Sequence, residues 1–471
     1  MTLLPSGLAI LLLLSIPSVH SSPPSLNGTS IATLDASNIS SGRSLWNIIW
    51  SCAATLFACT WTAIHPNIPG MDEGKFTVFS RRLGMMIMAL IAPELMITWA
   101  TIQFLSARDT AKAFNAAQVF GTQLHQTRSE CANMEDGTAT LLIESPTSGR
   151  TSSSHPSPPH VASGAFREWT VTHGFFAWMG GFMLYFNDKP RATLTPKELE
   201  RFVNEGSVEM PFITEADIED RSKGDALSKG IAILQLAWFV LQLIARYVQN
   251  LPMTLLELDT LAVAALTSIA SGFWWKKPKD VGRPHAVHWK ATACPPSELA
   301  YDTVDALFFT EDWGGILLTY MYPLLSLTGA RLFNSPRAVH SRRVPSVGGY
   351  QEGGAGRYPL LIGCLSGTVF GGMHCLGWNY MFQGHTIQIL WRTASLAIVS
   401  APVCILLLSS YIIWLDDSND IGVIALLAVL ASSFIYIVAR ATLIVLILMS
   451  FRSLPSGAYD TVAWTQFIPH L

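Results

Sequence analysis

The chain is poor in charge. Only 13% of its 471 residues are Asp, Glu, Lys or Arg, against about 25% in soluble proteins, which argues against an ordinary soluble globule. It has no excess of positive charge either. The formal net charge is −3, so nothing suits it to a nucleic-acid partner. Cysteine is sparse and unpatterned: Cys52, Cys59, Cys131, Cys294, Cys364, Cys375 and Cys404 form no CxxC and no ordered Cys/His run. Neither a disulfide framework nor a zinc module is indicated. There is no HExxH pair, no metal set is assigned, and no cofactor is implied.

What the sequence has in plenty is apolar length. Half of its residues are hydrophobic, gathered in blocks of roughly 20, the length a helix needs to cross about 30 Å of hydrocarbon. The fold class read from this is all-α. It is a polytopic transmembrane bundle of about nine spans, or eight if one block is re-entrant, in a lipid bilayer. A small cytosolic helical hairpin accompanies it.

Residues 1–21 read as a signal peptide, with an apolar core from Leu8 to Ile16 and with Val19 and Ser21 in cleavage-site spacing. Its start lacks Lys or Arg, so a retained anchor is the other reading. Residues 22–44 form a lumenal tail holding the acceptor sequons at Asn27 and Asn38. Together these predict a glycoprotein of the secretory pathway, in the endoplasmic reticulum or the plasma membrane.

Residues 45–105 hold spans one and two. Trp46, Trp50 and Trp61 lie towards the ends of the first, as interfacial rings do, and His65-Pro-Asn-Ile-Pro69 closes it. The second, Leu83 to Leu105, has Pro93-Glu94 at its centre. An intramembrane acid costs about 2.5–3.5 kcal/mol on insertion scales and by default has a partner and a function. Pro93 also frees the carbonyl of Ala89. Glu94 is therefore the candidate polar centre, with His173 and His374 as candidate companions.

Residues 106–168 are polar and Ser/Pro-rich, a composition that predicts disorder. Residues 169–186 form a short third apolar block, carrying His173, that either spans or is re-entrant. The polar module 187–228 has two helix-start signals, Thr195-Pro-Lys-Glu and Thr214-Glu-Ala-Asp, and offers a surface for a protein partner. Residues 229–275 supply spans four and five. The loop 276–312 opens on Lys276-Lys-Pro-Lys279 and reads as cytosolic by its positive charge.

The block 313–333 brings a conflict. If it spans, Arg337, Arg342, Arg343 and Arg357 of the basic loop 334–358 fall on the lumenal side, so it is re-entrant or the charge bias fails there. Residues 359–451 hold spans seven to nine, and 452–471 form a C-terminal tail. Gly363, Gly367 and Gly371 make a GxxxGxxxG ladder for close helix packing, and His374 points into the same contact. Arg440 sits in an apolar run longer than the bilayer needs, so it reads as interfacial.

The run from Leu45 to Trp61 followed by His65-Pro-Asn-Ile-Pro69, with Ala92-Pro-Glu-Leu95, Thr172-His-Gly-Phe175 and Gly372-Met-His-Cys-Leu-Gly-Trp378, resembles a large fungal family of uncharacterised polytopic membrane proteins. The resemblance covers roughly residues 43–453. It implies the architecture and a fungal secretory-pathway membrane, and no activity.

Three functions are left. The first is an interaction, scaffold or sensor protein working through 187–228. The second is a channel or transporter around Glu94. The third is an intramembrane metal-dependent hydrolase drawing on His65, His173, His374, His385 and Glu94, which lacks a local ligand pair. The balance leans away from an enzyme, catalytic residues are unassigned, and the oligomeric state is open.

Overall fold

The computed structural model describes residues 42–139, 168–223, 226–291, 293–302, 339–345, 358–382, 384–415 and 419–463. The signal peptide, both sequons, residues 140–167 of the Ser/Pro-rich stretch and the block 313–333 lie outside the described residues, while residues 106–139, expected to be disordered, are helical. Helices α1 (Leu45–Ala63), α2 (Lys75–Ile91) and α3 (Pro93–Ala139) come first. A mixed module follows: α4 (Val171–Trp178), β1 (Phe182–Phe186), β2 (Lys189–Thr193), α5 (Pro196–Asn204) and α6 (Glu215–Arg221). After α7 (Ala226–Val248) and α8 (Leu255–Phe273), strand β3 (His285–His288) rejoins that module. Helices α9 (Tyr358–Cys375), α10 (His385–Leu415) and α11 (Asn419–Ser450) complete the bundle.

The five helices α7 to α11 are long and apolar enough to cross a membrane, and the bent pair α2–α3 makes a sixth if taken as one. Nine such spans are not found among the described residues. One reason is the block 169–186, expected as a short span. It folds instead into the eight-residue α4 and strand β1. At 1.5 Å per residue that helix is about 12 Å long, far short of a bilayer. Gly180, with φ of +87°, turns the chain between them.

Strand β1 pairs antiparallel with β2 and parallel with β3, in the order β2-β1-β3. Asn187 and Asp188 join the hairpin with φ of 49° and 60°, the left-handed pair that suits the twist of a two-residue turn. Helices α5 and α6 begin at the expected caps. Thr195 Oγ1 accepts from the Glu198 amide at 3.2 Å, and Glu198 Oε2 accepts from the Thr195 amide at 2.8 Å. Thr214 and Asp217 repeat this at 3.0 and 2.8 Å. These helices do not stand free. Phe176, Phe182, Leu184, Leu199, Phe202 and Val287 share one core with Phe114 of α3, whose ring stacks on Trp169 at 4.0 Å. The fold is thus mostly helical with one small sheet, not all-α.

The segment Leu83 to Leu105, expected as the second span, is bent at its centre. The chain does not pass straight through: α2 and α3 meet at an angle of 114°. Both arms are fixed at the same end of α8. Arg82 of α2 pairs with Asp280 at 2.8 Å. Gln103 of α3 accepts from Trp274 Nε1 at 2.9 Å and Lys277 Nζ at 2.8 Å. The pair is a hairpin whose two outer arms are both tied at the Lys276 end. Its apex, Ala92-Pro93-Glu94, meets Asp259 through Arg440, and Asp259 lies 15 residues before Trp274 on α8, about 22 Å at 1.5 Å per residue.

The flanks of 313–333 bear on the arginine conflict. Asp302 pairs with Arg191 of β2 at 2.8 Å, and the Arg342 carbonyl accepts from Thr193 Oγ1 at 2.6 Å. The chain leaves and re-enters the same module, so Arg342 and Arg343 lie at the Lys276 end. At the opposite end, Arg43 holds Glu257 at 2.6 Å, and Arg246 donates to the carbonyls of Asp460 and Pro252 at 2.7 and 2.8 Å.

The three ladder glycines face different neighbours. A Cβ on Gly363 would stand 3.0 Å from Thr98 Oγ1 of α3, and one on Gly367 would stand 3.1 Å from the ring of Pro402 of α10. At Gly371 it would lie 2.7 Å from the Val399 amide and 2.9 Å from the Ile398 carbonyl carbon. Backbone meets backbone only at Gly371. Gly371→Ala is expected to lower stability by about 1–3 kcal/mol, as overpacking does. Gly372→Ala, with nothing within 4 Å, should match the wild type or exceed it slightly. Thermal unfolding of both variants in detergent reads the contrast, and equal midpoints would show that α9 and α10 do not touch there.

Candidate functional site

A helix broken inside a bilayer leaves carbonyls at one cut end and amides at the other without helical partners. Here α2 ends at Ile91. Pro93, which has no amide to donate, opens α3, and Glu94 follows in its first turn, where an acid complements the positive helix end.

Arg440 of α11 fills the carbonyl side of the break. Its Nε donates to the Ile91 carbonyl, Nη2 to the Leu90 carbonyl and Nη1 to Asp259 Oδ1, each at 3.0 Å. The guanidinium carbon lies 4.2 Å over the ring of Phe370. Arg440 is 4% exposed, so it is not the interfacial residue expected from the sequence. His374 joins the same carboxylate, with Nε2 3.1 Å from Asp259 Oδ1 and Nδ1 2.9 Å from the Phe370 carbonyl. Both ring nitrogens thus face acceptors. One ring proton beside an ionised Asp259 can serve only one of them.

Glu94 is 8% exposed, and its Oε2 has no hydrogen-bond partner. The charge of Arg440 acts on it, and the hydroxyl of Tyr436 lies close enough to act on it as a hydrogen-bonding group. That hydroxyl is likewise buried. The guanidinium is thus bonded to one carboxylate, Asp259, and acts on a second, Glu94, through its charge alone.

Of the residues singled out in the sequence, Glu94 and His374 come together here through Arg440. His173 does not. It belongs to the module, where Nδ1 accepts from the Thr170 amide at 3.1 Å, Nε2 lies 3.1 Å from the Ile213 carbonyl, and the ring completes the cap of α4. His65 sits at the other end of the bundle, and His385 is exposed at the start of α10. Among the described residues no three His, Cys, Asp or Glu side chains gather to hold a metal. Asp259, Arg440 and Tyr436 were missed as site residues. The signal was available in two of them, since opposite charges in separate apolar runs invite pairing.

A second polar cluster holds the base of the hairpin. Lys277 Nζ donates to Asn67 Oδ1 at 3.0 Å and to Gln103 Oε1 at 2.8 Å. Lys279 Nζ donates to the carbonyls of Trp61 and Thr62 at 3.3 and 3.1 Å, where the negative end of α1 favours a cation. Burial pushes both ammonium groups down to about 7. His65 is held well below its usual range by burial and then by the charge of Lys279. Of the lysines that mark this end as cytosolic in the sequence, Lys276 is the exposed one, while Lys277 and Lys279 are buried.

No curated protein and no solved structure matches the chain. One family model, described as a family of unknown function (DUF8562), matches residues 10–294. The match takes in Glu94, Asp259 and Lys277 and stops before His374 and Arg440.

Proposed function

We propose, for a chain that belongs to the family of unknown function DUF8562, that it is a channel or transporter whose polar centre binds a proton or a small cation at Glu94. The observation that carries this is the unpartnered Glu94 Oε2 at the apex of a broken helix pair. Half-helix ends meeting inside a bundle supply fixed dipoles of both signs to a small polar species. A buried acid without a salt bridge inside a membrane bundle marks a functional site by default.

The finer placement rests on the sequence. The signal peptide and the sequons at Asn27 and Asn38 put the tail in the lumen of the secretory pathway, so the hairpin enters from the cytosol, with the module around residues 187–228 beside its base. An interaction role for that module keeps one observation in its favour: Phe212 is 77% exposed in the loop before α6.

Glu94→Gln keeps the shape and hydrogen-bonding capacity of the protonated acid. It should accumulate and fold as the wild type does, and proton or cation flux into dye-loaded proteoliposomes should fall to the protein-free background. Wild-type flux in this variant would remove Glu94 from the function.

A further inference from the structure

The guanidinium of Arg440 occupies a position of the kind a metal cation takes in broken-helix sites. Its neighbours are two main-chain carbonyls at a half-helix C-terminus, those of Leu90 and Ile91, and one oxygen of Asp259. Such carbonyls and carboxylates hold hard monovalent cations in membrane interiors. Beside this set stands a second carboxylate, Glu94, buried and with one oxygen unpartnered. A side-chain cation bonded to one acid and acting on a second through its charge has a second place to rest.

We infer that Arg440 is a tethered stand-in for a monovalent cation. When Glu94 loses its proton it draws the guanidinium across, and a cation enters among the Leu90 and Ile91 carbonyls and Asp259. This rests on the polar centre proposed at Glu94 and names what that centre exchanges. One proton leaves and one monovalent cation enters, so the charge of the site is the same before and after. A divalent ion would add a charge to a low-dielectric interior, where an uncompensated charge is costly, so the site selects single charge.

The groups that face the exchange come from every packed element. Helix α11 supplies Arg440 and Tyr436 and α8 supplies Asp259. Helix α9 supplies His374 against Asp259 and Cys364 near Tyr436. On α3 itself, Thr98 Oγ1 donates to the Glu94 carbonyl at 3.0 Å.

The test is a thermal-unfolding series on the purified full-length protein in detergent. Sodium, potassium and choline chloride are compared at equal ionic strength, at mildly acidic and mildly alkaline pH. In alkaline solution sodium or potassium should raise the wild-type midpoint saturably above that in choline, and the difference should vanish in acid. Glu94→Gln and Asp259→Asn should lose it at both pH values, and Arg440→Gln should show it at both. A wild-type midpoint that is the same in all three salts at both pH values overturns the inference, whether or not the variants fold. Transport lost in Glu94→Gln without any cation shift in the wild type would refute the exchange and leave the transport role standing. A cation shift without transport would do the reverse.

Discussion

Arg440→Leu is expected to cost about 3–5 kcal/mol of stability, the range seen when one partner of a buried charge pair is removed. The change leaves Asp259 without its guanidinium partner, with His374 beside it among the described residues, and it strips the Leu90 and Ile91 carbonyls of their donors. Each buried acceptor left unsatisfied adds about 1–3 kcal/mol by itself. The hairpin apex should come loose while the five long helices still insert. Accumulation and thermal midpoint of the purified variant measure the loss. Combining it with Asp259→Asn should restore part of it, because the two side chains are directly coupled. A single variant as stable as the wild type would mean that the guanidinium does not seat the hairpin.

Gly174→Ala should be nearly as damaging although it adds one methyl group. A Cβ there would overlap the Ala107 carbonyl oxygen and lie 2.7 Å from its carbon and 2.9 Å from its Cα. All three atoms are backbone of α3, so no side chain can swing aside. We expect a loss of about 3 kcal/mol, the upper end for overpacking. The first element to part should be α4, which is also tied to α3 by the Trp178 indole donating to Thr110 Oγ1 at 2.7 Å. Limited proteolysis across residues 187–223, beside the thermal midpoint, would show the module opening. Wild-type resistance to protease and heat would refute the contact.

The long lipid-facing helices were legible because apolar runs of their length have few other uses. The starts of α5 and α6 were legible because a capping box is local: Thr195 and Glu198 find each other three residues apart. The block 169–186 misled because the core of a mixed module is as apolar as a span, and periodicity does not separate a short buried strand from a helical turn. Its clues were Gly180-Gly181 in the middle and Asn187-Asp188 at the end.

The hairpin could not be read at all. Pro93 announced a break, but a kinked span and a re-entrant turn share the same local sequence. What distinguishes them is Arg440, which the chain supplies far away, together with Arg82 and Gln103 at the base. The charge rule counted Lys277 and Lys279 as surface signals beside Lys276, whereas both make internal bonds.

The bond from Arg440 to the Leu90 carbonyl joins residues 350 positions apart. At a synthesis rate of about 5–20 residues per second, the guanidinium reaches the ribosome's exit some 20–70 s after its acceptors. During that interval the nascent arm carries cut-end carbonyls with no donor, and the outward stripe Phe76, Phe79, Leu83, Ile87 and Ile91 is the face it can lean on in lipid. The newborn hairpin must therefore wait at the membrane surface or in the care of an insertion factor. It is a helix made some 350 residues later that lets the hairpin take its seat.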